Sequence, residues 1–248
     1  WIKYLPPSPE IHLKKAMAYG LSDIFEIRPC FRRGEFSPHH TNEFYMLEWY
    51  RAFADLDLII VDLAGLLRHL NGPALEITDF AELFQEIFGF RLTPKTDREE
   101  LRQLAAAFEV ETEAGDTFAD IFHRLMIEKI EPAISQRGPT VVRRFPPSMA
   151  ALARLDDKGW ADRFELYWNG FEIANAFNEV TDPKEQVARW EGELRERERL
   201  GTGKLPMDME MIDAFKMGIG PSGGIALGME RLYMALYAVT DIRELTLF

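Results

Sequence analysis

The sequence predicts an α+β fold, and three features carry the prediction. Two stretches near either end of the 248-residue chain, residues 23–50 and 163–177, alternate polar and apolar side chains as paired strands do. Between them, residues 56–134 change to a helical texture. The closing stretch GIGPSGGIALGMERLYMALYAV is a glycine-rich strand that runs into a helix.

EIHLKKAMAY, residues 10–19, has helical apolar spacing and is entered through Ser8-Pro9-Glu10, with serine as cap and proline in the first turn. Residues 23–33 then form a strand with Phe25, Ile27 and Phe31 on one face and Arg28, Cys30 and Arg32 on the other. A polar loop, residues 34–42, leads into a second strand in which Phe44, Met46, Glu48 and Tyr50 share a face. DLIIVDLAGLLRHL, DFAELFQEIFGF, DREELRQLAAAFEV and DTFADIFHRLMIEKI follow, several of them opening on aspartate or threonine as capped helices do. Residues 77–137 read as a helical insertion in a single domain. Thr140 to Phe145 is a strand stopped by Pro146-Pro147. In RFELYWNGFEIANAF the two-residue turn is Asn169-Gly170, so Trp168 faces Phe171, Tyr167 faces Glu172, and Glu165 lies diagonal to Glu172. PKEQVARWEGELRERERL is a charged helix ended by residues 201–204.

Composition narrows the function classes. Apolar residues make up 47% and charged residues 28%, as in soluble globular proteins, and no run approaches the ~18 apolar residues of a membrane span. A formal net charge of −12 disfavours a broad electrostatic grip on nucleic acid, so an anionic substrate has to be held by local cations or a metal. The single cysteine, Cys30, excludes an internal disulfide and a cysteine zinc cluster and suits a reducing cytoplasm. The five histidines lack metal-ligand spacing. Trp1 opens without a starting methionine, signal or transit segment, and the chain reads as a fragment of a longer protein.

Several residues have a functional reading beside a plainer one. Glu165 with Glu172 suits a magnesium ion, which takes one or two carboxylates plus substrate phosphates; a solvated sheet face explains the same pattern. Arg32 has the donor fork for a carboxylate or phosphate, or for a structural ion pair. Glu48 between Phe44 and Tyr50 suits an ammonium group if that face is buried, and solvent if it is not. Ser222-Gly223-Gly224 with Gly228 is a weak phosphate-loop signal that strand packing explains equally well.

The run FRRGEFSPHHTNEFYMLEWY resembles motif 2 of the class II aminoacyl-tRNA synthetases, and GIALGMERLYM resembles motif 3. The order of SPE, FR, EFYMLEWY, FELYWNGFEIANAFNEVTD and GIALGMER is similar to the lysine branch. MLEWYR, FPPSMAALA and the IALG form of motif 3 resemble the short paralogues that ligate β-lysine to elongation factor P. The resemblance implies the class II catalytic core, an antiparallel sheet flanked by helices, together with ATP, Mg2+, a cytoplasmic location and a homodimer.

The same resemblance implies roles. Arg32 would hold the substrate carboxylate and the α-phosphate. Phe44 and Arg231 would sandwich the adenine, with Arg231 also at the γ-phosphate. Glu165 and Glu172 would bind magnesium. Glu10 would accept from the backbone-type amine, and Asn175 would assist the carboxylate. Glu48, Tyr50 and Glu179 would surround the side-chain ammonium, with Phe177 as an apolar wall. Strict alternation puts Asn175, Phe177 and Glu179 opposite Glu172, so the assignment requires a β-bulge within residues 173–176.

Three departures from the family pattern stand out. The usual F-R-N-E is replaced by Phe31-Arg32-Arg33-Gly34, which displaces the acid to Glu35. The γ-phosphate arginine of the loop has no match, leaving His39 or His40 to substitute. Motif 1 is missing. Ala226 stands where the resembling tRNA enzymes carry glycine, which implies a reshaped pocket and a preference for (R)-β-lysine over lysine, with elongation factor P rather than tRNA as acceptor. A lysyl-tRNA synthetase and a non-catalytic amino-acid sensor are the alternatives.

Overall fold

The computed structural model describes residues 5–199, 201 and 207–245. Helix α1 (Glu10–Ala18) precedes the hairpin of β1 (Asp23–Phe31) and β2 (Glu43–Ala52), and α2 (Leu56–His69) follows, capped by Asp55. A short strand β3 (Glu76–Asp79) leads to α3 (Phe80–Phe88), α4 (Arg98–Ala107) and α5 (Phe118–Leu125), then through a π-helical turn to α6 (Glu131–Ile134). Strand β4 (Thr140–Phe145) precedes the hairpin of β5 (Ala161–Trp168) and β6 (Phe171–Asn178). Helices α7 (Pro183–Arg199) and α8 (Met209–Met217), strand β7 (Ser222–Gly228) and helix α9 (Met229–Tyr237) complete the elements.

The seven strands form one sheet in the order β1-β2-β7-β6-β5-β4-β3, antiparallel throughout except for the β3/β4 pair. Residues 77–79, read from sequence as the start of the helical segment, are therefore strand. Asp79 serves both elements, closing the β3 ladder against Arg143 and capping α3 in a reciprocal box with Glu82. The helix expected over residues 10–19 ends at Ala18, and Ser8 accepts from the Glu10 amide at 3.0 Å. Of the residues expected to end the charged helix, 202–204 lie outside the described residues.

Alternation sorts the sheet into two faces. One face sends Phe164, Leu166, Ala174, Ala176, Ile225 and Leu227 into a core with α2 and α9. The opposite face is covered at two ends. Beside β2, Leu13 and Met17 of α1 pack with Tyr50 and with Met211 and Phe215 of α8. Beside β4 and β5, helices α3 to α6 bury Phe80, Phe84 and Phe122 against Val142, Phe145 and Tyr167. The strip of sheet between these coverings is the floor of the site.

Candidate active site

Two cross-strand rows form that floor. Glu48, Ala226, Asn175 and Glu165 pair in succession across β2, β7, β6 and β5; Tyr50, Gly224, Phe177 and Arg163 form the next row. Leu166 pairs with Ala174 and Tyr167 with Glu172, so Ile173 is the extra residue of a β-bulge. This is the bulge the sequence required. It turns Glu172 to the same face as Asn175, where an unbroken ladder would separate them.

At the α1 end of the floor three carboxylates converge. Glu48 is 3% exposed; its Oε1 accepts from the Ser8 hydroxyl at 2.6 Å, and its buried Oε2 has no partner. Burial, and then the charge of Glu10, push its pKa up to about 8. The Lys14 ammonium lies 2.6 Å from Glu10 and 2.7 Å from Glu179, 5.9 Å from the Tyr50 ring centre. Burial alone would lower the Lys14 pKa, but the two carboxylates outweigh it and raise it. Burial brings Glu179 to about 7, against the opposing pull of Lys14. Gly224 makes the approach possible, because a Cβ there would stand 2.3 Å from the Tyr50 ring and 2.8 Å from Glu179 Oε1. Gly223 likewise admits Ile59 on the other face. These glycines are strand residues that make room for neighbours, so the phosphate-loop reading of residues 222–224 falls.

At the other end lies a cleft lined by Arg32, Glu35, His40, Phe44, Glu172 and Arg231 among others. Phe44 and Arg231, expected to face each other across an adenine, are not stacked. The Arg32 guanidinium sits 5.0 Å over the Phe44 ring instead. Arg231 donates to the Glu172 carbonyl at 2.8 Å and to His40 Nε2 at 2.5 Å. A guanidinium only donates, so His40 Nε2 must accept, and its Nδ1–H faces the Ser37 hydroxyl at 2.9 Å. Burial and then Arg231 lower the His40 pKa, so at neutral pH the ring carries no charge. The sequence offered His40 as a stand-in for a phosphate-binding arginine; the geometry makes it an acceptor that orients Arg231. Glu35 lies 4.0 Å from Arg32, a loose and half-exposed pair.

The two carboxylates read as magnesium ligands differ in environment. Glu165 is buried and bonded to the Arg163 guanidinium, the Tyr167 hydroxyl and, at 3.2 Å, the Asn175 amide. Its pKa is raised by burial despite Arg163. Glu172 stays accessible beside the cleft, and burial of its surroundings and the Glu165 charge push it up to about 7. The donor set fits a hard cation bound chiefly through Glu172 and substrate phosphates, with Glu165 already neutralised by Arg163.

Sequence reasoning missed Ser8, Lys14, Arg163 and Tyr167. Lys14 stands four residues after Glu10 on one helix, and Arg163 and Tyr167 flank Glu165 two residues away on one strand, so local spacing held a signal for each. Phe177 lies in the floor row beside Gly224, with Arg163 5.2 Å from its ring centre. The Asn175 Oδ1 is buried without a partner, aimed at the same floor.

The sequence model of the family described as tRNA synthetases class II (D, K and N) matches residues 1–248. The chain is 34% identical to an elongation factor P (R)-β-lysine ligase of Enterobacter sp. (strain 638), over 99% of this chain and 77% of that protein. Among the described residues no helix is long and apolar enough to cross a membrane.

Proposed function

This chain belongs to the class II tRNA synthetase family of the D, K and N type, and on that premise we propose that it is an ATP-dependent, AMP-forming ligase that activates (R)-β-lysine in preference to lysine and transfers it to a lysine side chain of elongation factor P. The observation that carries the reading is the continuous floor of Glu48, Ala226, Asn175 and Glu165, which joins a buried carboxylate cluster at α1 to an arginine-lined cleft.

In this reading the amino group meets Glu10, the side-chain ammonium enters between Glu48, Tyr50 and Glu179, and Phe177 walls the aliphatic chain. Arg32 and Asn175 hold the carboxylate over Ala226, so that its oxygen faces the α-phosphate of ATP in Phe44's half of the cleft. That oxygen attacks the α-phosphorus in line, the bond to the β-phosphate oxygen breaks, and pyrophosphate leaves. Arg32 and Arg231 stabilise the charge that develops on the phosphoryl oxygens. Magnesium bound near Glu172 would supply further neutralisation. The acceptor amine then attacks the carbonyl, AMP leaves, and the amine proton passes to solvent. No protein nucleophile is required, because positioning makes the encounter effectively intramolecular. Stacking of Arg231 on the adenine requires it to leave His40, so His40→Ala, which removes the competing acceptor, is expected to lower KM for ATP about fivefold while leaving KM for the amino acid unchanged.

Ala226 pairs with Glu48 on one side and Asn175 on the other, so its methyl stands between the ammonium and carboxylate ends of the substrate. Ala226→Gly should shift the ratio of kcat/KM values toward lysine by about tenfold, the weight of one methyl in a packed site. Pyrophosphate exchange with each amino acid measures both this ratio and the parent activity; no exchange with either would leave a sensor. We also read the chain as cytoplasmic and homodimeric and residues 80–137 as an insertion in one catalytic domain, readings supported by the family and by helices α3 to α6 between β3 and β4.

A further inference from the structure

Three carboxylates, Glu10, Glu48 and Glu179, converge beside α1, and among the described residues the Lys14 ammonium lies between two of them. The Lys14 ammonium is bound at 2.6 Å and 2.7 Å to Glu10 and Glu179, and the residue is 2% exposed. Glu179 is 4% exposed and the Glu10 side chain 29%, so the bridge joins one buried carboxylate to one partly open to solvent. Of the titratable neighbours, Tyr50 is pushed upward by burial and then by Glu10, Glu48 and Glu179, and Cys30 by burial and then by Glu48, with Arg28 and Arg32 opposing. Among the described residues no cation is bonded to Glu48, whose Oε2 is buried without a hydrogen-bond partner.

We propose that Lys14 is a resident counter-ion that sets the charge capacity of this cluster: of three converging carboxylates it matches one, leaving two to ionise against the two ammonium groups of a diamino acid. The inference rests on the diamino-acid reading above and adds to it a positioning residue. A monoamino acid would leave one buried carboxylate unmatched, and a neutral residue at position 14 would leave three carboxylates for two ammonium groups. The surplus is relieved by protonation, so Glu179 would hold its proton to higher pH and substrate binding would be lost sooner on acidification.

The test is the pH profile of KM for lysine and for ATP in pyrophosphate exchange, in the wild-type chain and in Lys14→Met and Lys14→Arg. Wild-type exchange with lysine or β-lysine, and at least about tenfold weaker exchange with the monoamine norleucine, establishes the underlying reading separately. For Lys14→Met the acid limb of the lysine profile should move up by about one pH unit, with KM for ATP within about twofold of wild type. Lys14→Arg, which keeps the charge and guards against failure of the first variant to fold, should keep the wild-type limb. An unmoved limb in Lys14→Met, or a limb in Lys14→Arg displaced as far as the methionine variant's expected shift, would overturn the counter-ion role even where the parent activity is intact. Absence of wild-type exchange would overturn both.

Discussion

Glu48→Gln is expected to cut kcat/KM for the amino acid by about 10³-fold, because a buried ammonium would lose its charged partner, a loss of about 4 kcal/mol. The same substitution should stabilise the fold in alkali. The Glu48 carboxyl titrates near pH 8 in the folded chain against an ordinary value of 4.5. Between those values the unfolded chain has released the proton that the folded chain retains, so wild-type stability falls as pH rises through the window and levels off above about 8. Glutamine does not titrate, and its carbonyl can still accept from Ser8. At pH 8.5 the variant should be more stable by about 3 kcal/mol, with the difference shrinking toward pH 5. Denaturant unfolding at both pH values, alongside pyrophosphate exchange, checks the two halves. A glutamate kept for packing alone would not couple a gain in stability to a loss of activation.

Arg32→Ala is expected to lower kcat in the same exchange by about 10³-fold, the scale seen when one preorganised charge-stabilising donor is removed. Its effect on stability should stay within about 1 kcal/mol, since its side chain is 41% exposed and its ion pair with Glu35 is long. Arg32→Lys should recover only a small part of the rate, because an ammonium cannot span a carboxylate and a phosphate as the planar fork does. Equal loss of folding and activity would instead assign Arg32 to the Phe44 contact it makes in the free protein.

The parts of the fold governed by local rules were legible in the sequence. Asn169-Gly170 fixed the register of the β5/β6 hairpin, with positive φ at both residues as a tight turn needs. The conflict between strict alternation and the placement of Glu172 and Asn175 pointed to a bulge, and Ile173 is that bulge. Strand β3 was hidden because EITD is short and its last residue is also a helix cap, so the helix signal dominated. The partners of charged groups were harder to read. Lys14 meets Glu179, and Arg231 meets His40, across most of the chain length, and such encounters depend on how helices seat on the sheet rather than on spacing. Local pattern could nominate Glu48 for an ammonium, but only the packing of α1 on the sheet decides that it is buried instead of facing water.

The proposed ligase activity is tested by supplying the protein with ATP, magnesium and (R)-β-lysine, offering unmodified elongation factor P and lysine tRNA together, and asking by intact mass and gel shift which one gains the acyl group. The expected result is a mass increase of one β-lysyl group on a lysine of elongation factor P and uncharged tRNA. Charging of the tRNA with elongation factor P unchanged would contradict it, and would assign the same floor of Glu48, Ala226, Asn175 and Glu165 to a tRNA-charging enzyme.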